Sequence, residues 1–403
     1  MSVTRHRNLR AGTPIWLRHR RPPVPHSKLP GRLEPDVVVV GAGISGALIA
    51  DALVTAGKRV VVLDRRGPLQ GSTPASTALL QFEIDTPLSH LSRKIGRDRA
   101  ARAWWRSAAS IEYLRARITD LAIDCDFVDR CSVLLPGDVL DRAGLEHEAE
   151  ERRAAGLRSE MIDRRALKRL TGIDRPGAIL SQGAAEANPV KLVAGLWRSA
   201  VARGARIYAP VQVDDVESFR DHVRIKTKTG RTLRAGAVVF ATGYELVKFI
   251  HPKGYKVIST FAYATRSQRK AWPSRCLIWE AADPYLYART TQSGHVIVGG
   301  EDEPFSDAQR RDQLLPEKVA VIAGKLKRLM PRIDTTPLYA WCGSFGESPT
   351  GLPLIGPIPR HPHCYAVLGF GGNGITFSAT AAQLLQRQLC GLQDPDADLF
   401  RIP

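Results

Sequence analysis

Residues 36–64 read DVVVVGAGISGALIADALVTAGKRVVVLD, and this stretch decides the fold. Its β-branched run at 37–40 is typical of a buried parallel strand. Glycines follow at the G-x-G-x-x-G spacing, good helix formers occupy 44–56, and Gly57 stands where a C-terminal cap ends a helix. Residues 60–63 are a second apolar run. The stretch therefore predicts a strand, a helix and a strand that open an α/β fold with a parallel sheet.

The same stretch predicts a dinucleotide site. Gly41 permits the tight turn out of the strand, Gly43 leaves room for a pyrophosphate, and Gly46 lets helix and strand approach closely. The helix N-terminus offers unpaired N–H groups to phosphates. Asp64, about 20 residues after Gly43, is placed to accept hydrogen bonds from ribose hydroxyls. The alternative is a βαβ unit whose glycines only tighten the turn. The residues of this half-site are Gly41, Gly43, Ile44, Ser45, Gly46 and Asp64.

The composition is that of an ordinary globular protein. The 403 residues are 44% hydrophobic and 24% charged, which is compatible with a large core and two or three domains. The six cysteines include no C-x-x-C pair, which argues against a zinc site or a disulfide framework and fits a reducing compartment. No apolar run of about 18 residues is present to span a membrane. We expect a cytoplasmic protein without a metal site.

The net charge of +18 is unevenly distributed, with eight units in residues 1–32 and the other ten in the rest of the chain. Residues 1–32 hold eight basic side chains, no Asp or Glu, and no apolar segment of the kind found in signal peptides. Such an arm can attract nucleic acid, acidic lipid or an acidic partner, but a solvated, partly ordered tail is the expected state. The basic residues are Arg5, Arg7, Arg10, Arg18, Arg20, Arg21, Lys28 and Arg32.

Three later segments extend the predicted cofactor site. The loop GSTPASTALL at 71–80 presents small hydroxyl side chains and N–H groups to phosphate oxygens. An apolar strand at 237–240 ends in Ala-Thr-Gly, where backbone can approach a cofactor. The segment GFGGNGITFS at 369–378 places many glycines before a helix N-terminus, which indicates that a ligand lies against that backbone.

The remaining segments predict a second, substrate-binding region. Apolar spacing at 89–121 indicates amphipathic helices whose arginines form a solvent-exposed face. The less favoured alternative is that these arginines form a nucleic-acid-binding surface. After residue 244, alternating aromatic segments predict an antiparallel sheet that walls a substrate pocket. Three tyrosines on this sheet wall the pocket or pack the sheet, and we expect packing for at least two of them: Tyr263, Tyr285 and Tyr287. His295, beside a turn, is expected to be exposed.

Taken together, these motifs resemble the D-amino-acid-oxidase-like family of FAD-dependent oxidoreductases, which includes glycine oxidase, monomeric sarcosine oxidase and γ-glutamylputrescine oxidase. The resemblance covers residues 33–395. It rests on the opening βαβ stretch, the serine-rich loop, Asn188-Pro189, the Ala-Thr-Gly strand end, YLYARTTQSGHVIVGGED, and the closing GLPLIG and GFGGNGITFS. The implied fold is a Rossmann-like FAD-binding domain with an antiparallel α+β substrate domain.

The resemblance implies a role for particular residues. The opening glycines hold the FAD pyrophosphate, Asp64 holds the ribose, and Arg65 lies beside the adenosine. The serine-rich loop lines the path to the flavin, Val213 meets the adenine through its backbone, and the closing glycines surround the pyrimidine edge of the flavin. Beyond the first half-site, the cofactor residues are Arg65, Ser72, Ser76, Thr77, Leu80, Val213, Ala241, Thr242, Gly243, Gly343, Gly372, Asn373, Gly374 and Ile375.

The implied reaction is hydride transfer from the carbon beside an amine nitrogen to flavin N5, with hydrolysis of the resulting imine. A dedicated general base is not required, because the amine must arrive unprotonated. The residues expected at the reacting atoms are Arg289, Asn373 and Gly374. Arg289 either clamps a substrate carboxylate or is an exposed strand residue. The expected partners are a small amine or amino acid and, as electron acceptor, O2 or a redox partner.

Some family members bond the flavin through a cysteine near the closing region. Aligning Ser348-Pro349 with the family places that position at Gly343, one residue from Cys342. We therefore expect non-covalent FAD with Cys342 packed beside the ring. Thr350 stands where the family usually has Asp, which leaves that local contact open.

The predicted division of the chain is a basic arm at 1–32, FAD-binding segments at 33–84, 176–243 and 339–403, and substrate-domain segments at 85–175 and 244–338. Two other functions stay open. One is a flavoprotein subunit of a larger electron-transfer assembly, with the basic arm docking an acidic partner. The other is a flavin protein that acts on nucleic acid through its arginine-rich surface.

Overall fold

A computed structural model describes residues 2–18, 20–31, 33–268 and 270–403. Arg32, the last residue of the predicted basic arm, lies outside the described residues, as does Met1. Within these ranges, no helix combines the length and apolar character needed to cross a bilayer. The same residues contain no group of three or more His, Cys, Asp or Glu side chains arranged to hold a metal ion.

The helices are α1 (Ile44–Thr55), α2 (Leu88–Ile95), α3 (Arg97–Asp120), α4 (Arg142–Ala154), α5 (Arg164–Thr171), α6 (Pro189–Ala202), α7 (Ala308–Leu329) and α8 (Gly374–Leu389). The strands are β1 (Arg10–Gly12), β2 (Val37–Val40), β3 (Val60–Leu63), β4 (Leu79–Leu80), β5 (Val128–Leu135), β6 (Ser159–Asp163), β7 (Gly177–Glu186), β8 (Arg206–Tyr208), β9 (Val213–Ser218), β10 (Val223–Thr227), β11 (Thr232–Ala235), β12 (Ala237–Phe240), β13 (Lys256–Thr265), β14 (Leu277–Glu280), β15 (Leu286–Thr290), β16 (Val296–Glu303), β17 (Pro337–Glu347), β18 (Leu354–Pro357) and β19 (Cys364–Leu368).

The predicted opening stretch forms the centre of a mixed sheet. In the described residues its strand order is β18-β19-β12-β2-β3-β8, parallel throughout except for β18. The side chains of β2 alternate between two cores. Val37 and Val39 pack on the side of α1, α6 and α8, whereas Val38 and Val40 pack on the side of β9, β10 and β11. Because both faces are covered, this strand is apolar at every position.

A larger sheet forms the second region. Its strand order is β1-β17-β13-β16-β15-β14-β5-β7-β4, with β6 paired to β7. Helix α7 covers one face through a core that includes Ile322 and Leu326. The predicted division assigns β4, β7 and most of β17 to FAD-binding segments, whereas these strands pair within the larger sheet. The division of the chain into domains stays a prediction.

Residues 2–18 of the N-terminal arm do not form a solvated tail, and for them this part of the sequence-based interpretation is wrong, whereas most of residues 20–31 are exposed. Strand β1 pairs with β17 at the edge of the larger sheet. Val3, Leu9 and Ile15 are buried. Residues 2–18 pack on the body because their few apolar residues are spaced to reach separate pockets there, and their backbone N–H groups find acceptors there.

The arginines of α3 face acidic side chains of neighbouring elements. Arg97 pairs with Glu151, Arg102 with Asp396, and Arg106 with Asp394. Arg117 reaches the fully buried Asp51 of α1, with an Nε to Oδ2 distance of 2.9 Å. The arginine-rich face that was predicted to be solvent-exposed therefore consists largely of ion pairs, which join α3 to α1 and to the C-terminal residues.

Candidate active site

A first cleft opens where the parallel strands β2, β3 and β12 end, and its volume is about 880 Å³. The N-terminus of α1 points into it. Gly43 is the N-cap and makes no side-chain hydrogen bond, so the first turn of α1 keeps N–H groups without helical acceptors. The Ile44 N–H donates to Thr73 Oγ1 at 3.1 Å. This arrangement provides hydrogen-bond donors and the positive end of a helix dipole for an anion.

Two glycines determine the shape of this cleft. Gly41 has φ +117°, in the region that favours glycine, and a Cβ there would overlap the Ala241 carbonyl oxygen. A Cβ at Gly46 would overlap the Gly41 carbonyl oxygen. Both predicted roles, the tight turn and the close helix–strand approach, therefore have a direct geometric basis.

Asp64 lies at the rim of the first cleft, with its carboxylate held by backbone groups. Oδ2 accepts from the Ala42 N–H at 2.7 Å, and Oδ1 accepts from the N–H groups of Arg66 and Gly67 at 2.8 and 2.7 Å. These bonds fix the orientation of the carboxylate and leave lone pairs for further donors.

Glu245 gathers the arginines next to Asp64. It forms ion pairs with Arg65 and Arg66, and it accepts a hydrogen bond from the Arg7 N–H at 2.9 Å. Burial acts to raise the pKa of Glu245, but these hydrogen bonds and charges outweigh burial, so its pKa is lowered. Glu245 is therefore an ionised anchor, and the Arg65 side chain is directed toward it.

A second cleft of about 1050 Å³ continues from the first. Both clefts are lined by Ile44, Ser72, Thr73, Tyr244 and Gly374, so they form one elongated groove. The serine-rich loop at 72–79 forms one wall of the second cleft and residues 371–375 form another.

The N-terminus of α8 lies in the second cleft beside that of α1. Ser45 of α1 and Ser378 of α8 form a buried hydrogen bond of 2.7 Å. Asn373, the N-cap of α8, donates through Nδ2 to the Glu83 carbonyl oxygen at 2.8 Å, and the Gly372 N–H donates to Asp85 at 2.7 Å. The two helix N-termini are thus fixed relative to each other and to the same groove.

Aromatic side chains of the larger sheet form the far wall of the second cleft. Tyr285, Tyr287 and Trp279 line it, whereas Tyr263 is buried in the core under α7. The expectation that at least two of the three tyrosines pack the sheet is therefore wrong. Gly299 on β16 leaves the space that the Tyr287 ring occupies, because a Cβ there would overlap the tyrosine hydroxyl.

Carboxyl groups surround this wall. The Tyr285 hydroxyl donates to Asp302 Oδ2 at 2.8 Å, and Asp302 Oδ1 is buried. Burial raises the pKa of Asp302 to about 7, against hydrogen bonds from Thr260 and Tyr285. Burial also raises the pKa of Glu347 and of Asp85, although Asp85 faces the open groove. This end of the groove therefore favours neutral or cationic groups.

Most of the predicted site residues lie along the groove, where their roles remain predictions. The first cleft contains Gly41, Gly43, Ile44, Ser45, Asp64, Arg65, Ser72, Val213, Ala241, Thr242, Gly243 and Gly374. The second contains Ser76, Thr77, Gly343, Gly372, Asn373 and Ile375 together with the shared residues. Gly46 lies behind the groove, as its packing role requires. Leu80 is in the core, and its neighbour Leu79 lines the cleft instead.

Arg289 is not in the groove, which corrects the expectation of a carboxylate clamp. Its NH1 donates to the carbonyl oxygens of Ala78 and Ala187 at 2.7 and 3.0 Å, and its side chain is 2% exposed. Burial lowers the pKa of Arg289 to about 10, with Glu186 acting in the opposite direction. Arg289 shares the sheet face of Tyr287 but lies beneath the serine-rich loop, which it supports.

Two smaller expectations also need correction. Cys342 does not face the groove: its Sγ lies 3.4 Å from Asp312 on the α7 side of β17, while the adjacent Gly343 faces the cleft. Burial raises the pKa of Cys342 to about 11. His295 is buried rather than exposed, with Nδ1 2.8 Å from the Thr265 carbonyl oxygen and Nε2 2.6 Å from Arg18.

Sequence reasoning missed several residues of the second cleft. Asp85, Thr260, Trp279 and Phe345 line it, and Asp302 lies directly behind Tyr285. These residues come from separate strands and loops and share no local motif. Asp302 alone had a signal, since it ends the VIVGGED segment on which the resemblance partly rests.

Comparison with known proteins decides the family. A family model described as FAD dependent oxidoreductase, the DAO family, matches residues 36–388. The chain belongs to this family.

The relatives of this DAO-family chain include oxidoreductases of several kinds. A probable oxidoreductase, OrdL, from Haemophilus influenzae is 22% identical over 369 residues, which span 88% of this chain and 83% of that protein. Glycine oxidase from Geobacillus kaustophilus is 24% identical over 370 residues, 87% of this chain and 91% of that protein. A tRNA 5-methylaminomethyl-2-thiouridine biosynthesis bifunctional protein from Cupriavidus necator is 24% identical over 94% of this chain and 60% of that protein.

Solved structures confirm the predicted fold class. Glycine oxidase from Geobacillus kaustophilus superposes with a TM-score of 0.76 at 20% identity, over 92% of this chain and 98% of that one. L-proline dehydrogenase from P. horikoshii superposes with a TM-score of 0.78 at 18% identity, over 93% and 97%. The parallel FAD-binding sheet and the antiparallel substrate sheet are thus those of the DAO family.

The groove fits the cofactor of the family. Gly41 and Gly46 leave no room for a Cβ where the turn and helix meet, and Gly43 opens the approach to the first-turn N–H groups of α1. The two clefts are continuous, as a dinucleotide requires. Residues of the first cleft would hold the adenosine and pyrophosphate, and residues at the N-terminus of α8 would hold the flavin.

Replacing Gly46 with alanine should impair FAD binding, because the new Cβ would push α1 away from Gly41. We expect at least a tenfold weaker apparent affinity for FAD, measured by titration of apoprotein with FAD fluorescence. Gly324→Ala in α7 is the matched control, since its Cβ meets only the flexible end of Arg328. Equal affinities of Gly46→Ala and wild type would contradict the assigned contact.

The raised pKa of Asp302 predicts a pH-dependent stability. Between the unfolded pKa of 3.8 and the folded pKa of about 7, the native state binds more protons than the unfolded state, so stability falls as pH rises through this window. Asp302→Asn should lack this fall and gain about 4 kcal/mol relative to wild type by pH 8. Urea unfolding of both proteins from pH 4 to pH 8 measures this difference in the free energy of unfolding.

Asp334→Asn provides a control of opposite sign. Hydrogen bonds from the Thr336 side chain and N–H lower the pKa of Asp334, so its contribution to stability is present above the unfolded pKa and lost as pH falls. If the free energies of unfolding of wild type and Asp302→Asn change in parallel with pH, Asp302 has an ordinary pKa and the prediction is wrong.

Proposed function

We propose that this protein oxidises the C–N bond of a small amine with non-covalently bound FAD. The observation that carries the proposal is the chemistry of the second cleft. Its described lining residues supply tyrosine hydroxyls, Trp279 and the carboxyl group of Asp85, and they include no lysine or arginine. An amine fits such a surface, whereas a free α-carboxylate would face carboxyl groups without a cation to bind it.

FAD, when bound, supplies the acceptor for a hydride from the carbon beside the amine nitrogen. The protein's own residues orient the amine and remove its proton. The Tyr285 hydroxyl lines the cleft and donates to Asp302. A protonated amine can therefore pass a proton to Tyr285 Oη while the tyrosine proton moves to Asp302 Oδ2. The neutral amine that results has the lone pair that the reaction needs.

The aromatic wall would also orient the substrate. Tyr285 and Tyr287 stack with ring centroids 5.8 Å apart and an interplanar angle of 29°. Burial raises the pKa of Tyr287 well above its usual value, and this effect outweighs the hydrogen bonds with Thr77 and Thr260, which act to lower the pKa. The wall is thus neutral at physiological pH, and its rings and hydroxyls offer apolar contact and hydrogen bonds to an alkylamine.

The structure weakens the basis of the two other functions. Backbone hydrogen bonds hold the first part of the basic arm on the body, so this part does not extend as a free tail toward an acidic partner. Arginines of α3 are paired with acidic side chains, which reduces the basic surface offered to nucleic acid. A small amine is the substrate class that the groove supports best.

The test is anaerobic reduction of the FAD-loaded protein, followed by absorbance at the flavin band. Alkylamines, diamines and N-methylamines should bleach the flavin faster than amino acids of the same length. Readmission of air then separates an oxidase, which regains its colour at once, from a dehydrogenase, which does not. Bleaching by amino acids alone would overturn the preference for amines, and no bleaching by either class would overturn the proposed reaction.

Tyr285→Phe provides a second readout of the same proposal. It should lower the rate constant of flavin reduction at neutral pH by about tenfold and recover toward wild type at high pH, where the amine arrives neutral. Tyr263→Phe is the matched control, because that hydroxyl is buried in the core and has no hydrogen-bond partner among the described residues. A pH-independent loss in Tyr285→Phe would remove the proton-transfer role.

A further inference from the structure

Residues 2–18, here called the N-terminal strap, lie along the outside of the groove. They precede residue 36, where the family match begins. Their contacts therefore belong to this chain rather than to the matched family region. Residues 2–9 of the strap approach the first cleft, and residues 10–18 contact β17 and the serine-rich loop, which lines both clefts.

The first part of the strap covers the first cleft. Ser2, Val3, Thr4 and Leu9 line it opposite the end of α1. The Val3 N–H donates to the Val213 carbonyl oxygen at 3.1 Å, at the position predicted to meet adenine. The Arg5 N–H donates to Leu246 at 3.0 Å, and the Lys248 N–H donates to Val3 at 2.9 Å. These hydrogen bonds surround an isolated antiparallel β-bridge between Thr4 and Val247, which holds this segment at the cleft.

Side chains fasten the same part of the strap to the cofactor half-site. Arg65 NH1 lies 3.4 Å from Thr4 Oγ1, and Arg66 NH2 donates to the Arg7 carbonyl oxygen at 3.0 Å. Glu245, which is 4% exposed, holds Arg65, Arg66 and the Arg7 N–H together. The arginines that follow Asp64 are thus bound to the strap.

The second part of the strap supports the serine-rich loop. Strand β1 places Arg10 opposite Gly343, and Arg10 Nε donates to the Gly71 carbonyl oxygen at 3.2 Å. Trp16 Nε1 donates to the Ser76 carbonyl oxygen at 2.7 Å, and the Trp16 ring lies 5.5 Å from the Arg289 guanidinium carbon. The loop that lines both clefts is therefore held by Arg289 on one side and by the strap on the other.

We propose that the N-terminal strap is part of the FAD-binding site and closes over the adenosine end of the cofactor. Val3 and Thr4 form the outer wall of that pocket, and the backbone bonds to Val213, Leu246 and Lys248 must open before FAD can leave. The strap thereby controls the rate of FAD exchange. This inference depends on FAD binding and is independent of the proposed amine substrate.

A disulfide across the strap gives the sharpest test. Thr4 and Val247 form an antiparallel bridge, flanked by the hydrogen bonds of their neighbours, and such a pair has Cα atoms about 4.5 Å apart, within reach of a disulfide. The double variant Thr4→Cys, Val247→Cys is loaded with FAD and oxidised. Release is followed by the recovery of free FAD fluorescence after dilution. We expect release at least tenfold slower in the oxidised than in the reduced form of the same protein.

Deletion of residues 2–8 should have the opposite effect, with release at least tenfold faster than wild type. It leaves β1 in place, and near-UV circular dichroism checks that the body remains folded. The control is Arg20→Ala, Lys28→Ala, which removes as many basic charges from exposed positions of the arm outside the strap. We expect wild-type release from this control.

The proposal is overturned if the oxidised and reduced disulfide variants release FAD at the same rate. It is also overturned if the control double variant accelerates release as much as the deletion does, because charge rather than closure would then be the cause. Neither measurement contains an amine. A failure here would therefore leave the proposed reaction untouched, and absence of flavin reduction by amines would leave this result untouched.

Discussion

The buried hydrogen bond between Ser45 and Ser378 joins two helices that are 333 residues apart in the chain. It fixes the N-termini of α1 and α8 side by side at one groove. Each terminus carries unpaired N–H groups and about half a positive charge. A dinucleotide that brings a pyrophosphate to one terminus and a flavin to the other is stabilised by both. The remainder of the structure keeps the two helix N-termini aligned.

The larger sheet and the strap complete the groove from the opposite side. Strand β15 and the residue before it present the tyrosine wall, and β17 brings Gly343 to the second cleft. Arg289 holds the serine-rich loop from beneath, and Trp16 holds it from outside. Burial of the carboxyl groups behind the wall determines the charge that a substrate meets. Cofactor binding and substrate selection therefore depend on different sheets that share one loop.

The sequence predicted the parts of the fold whose signals are local. The opening βαβ unit lies at 36–64 with its helix end within one residue of the expectation. The signal is physical, because glycine stands at Gly41 and Gly46 where no Cβ fits.

The parts that failed depend on packing between distant segments. Arg289 and Tyr287 share a sheet face by alternation, but only the folded chain shows that the loop at 77–78 covers one and leaves the other open. The arm has no periodicity, and its order comes from acceptors on the body such as Val213 and Glu245. Asp302 became a candidate only when the fold placed it behind Tyr285.

A crystal structure of the FAD-loaded protein tests the central claim most directly. The account predicts the pyrophosphate at the N-terminus of α1 beside Gly43, the ribose at Asp64, and the flavin between Thr77 and the N-terminus of α8, with Tyr285 facing the ring. A flavin bound away from α8, or a pyrophosphate that does not contact the first turn of α1, would contradict it.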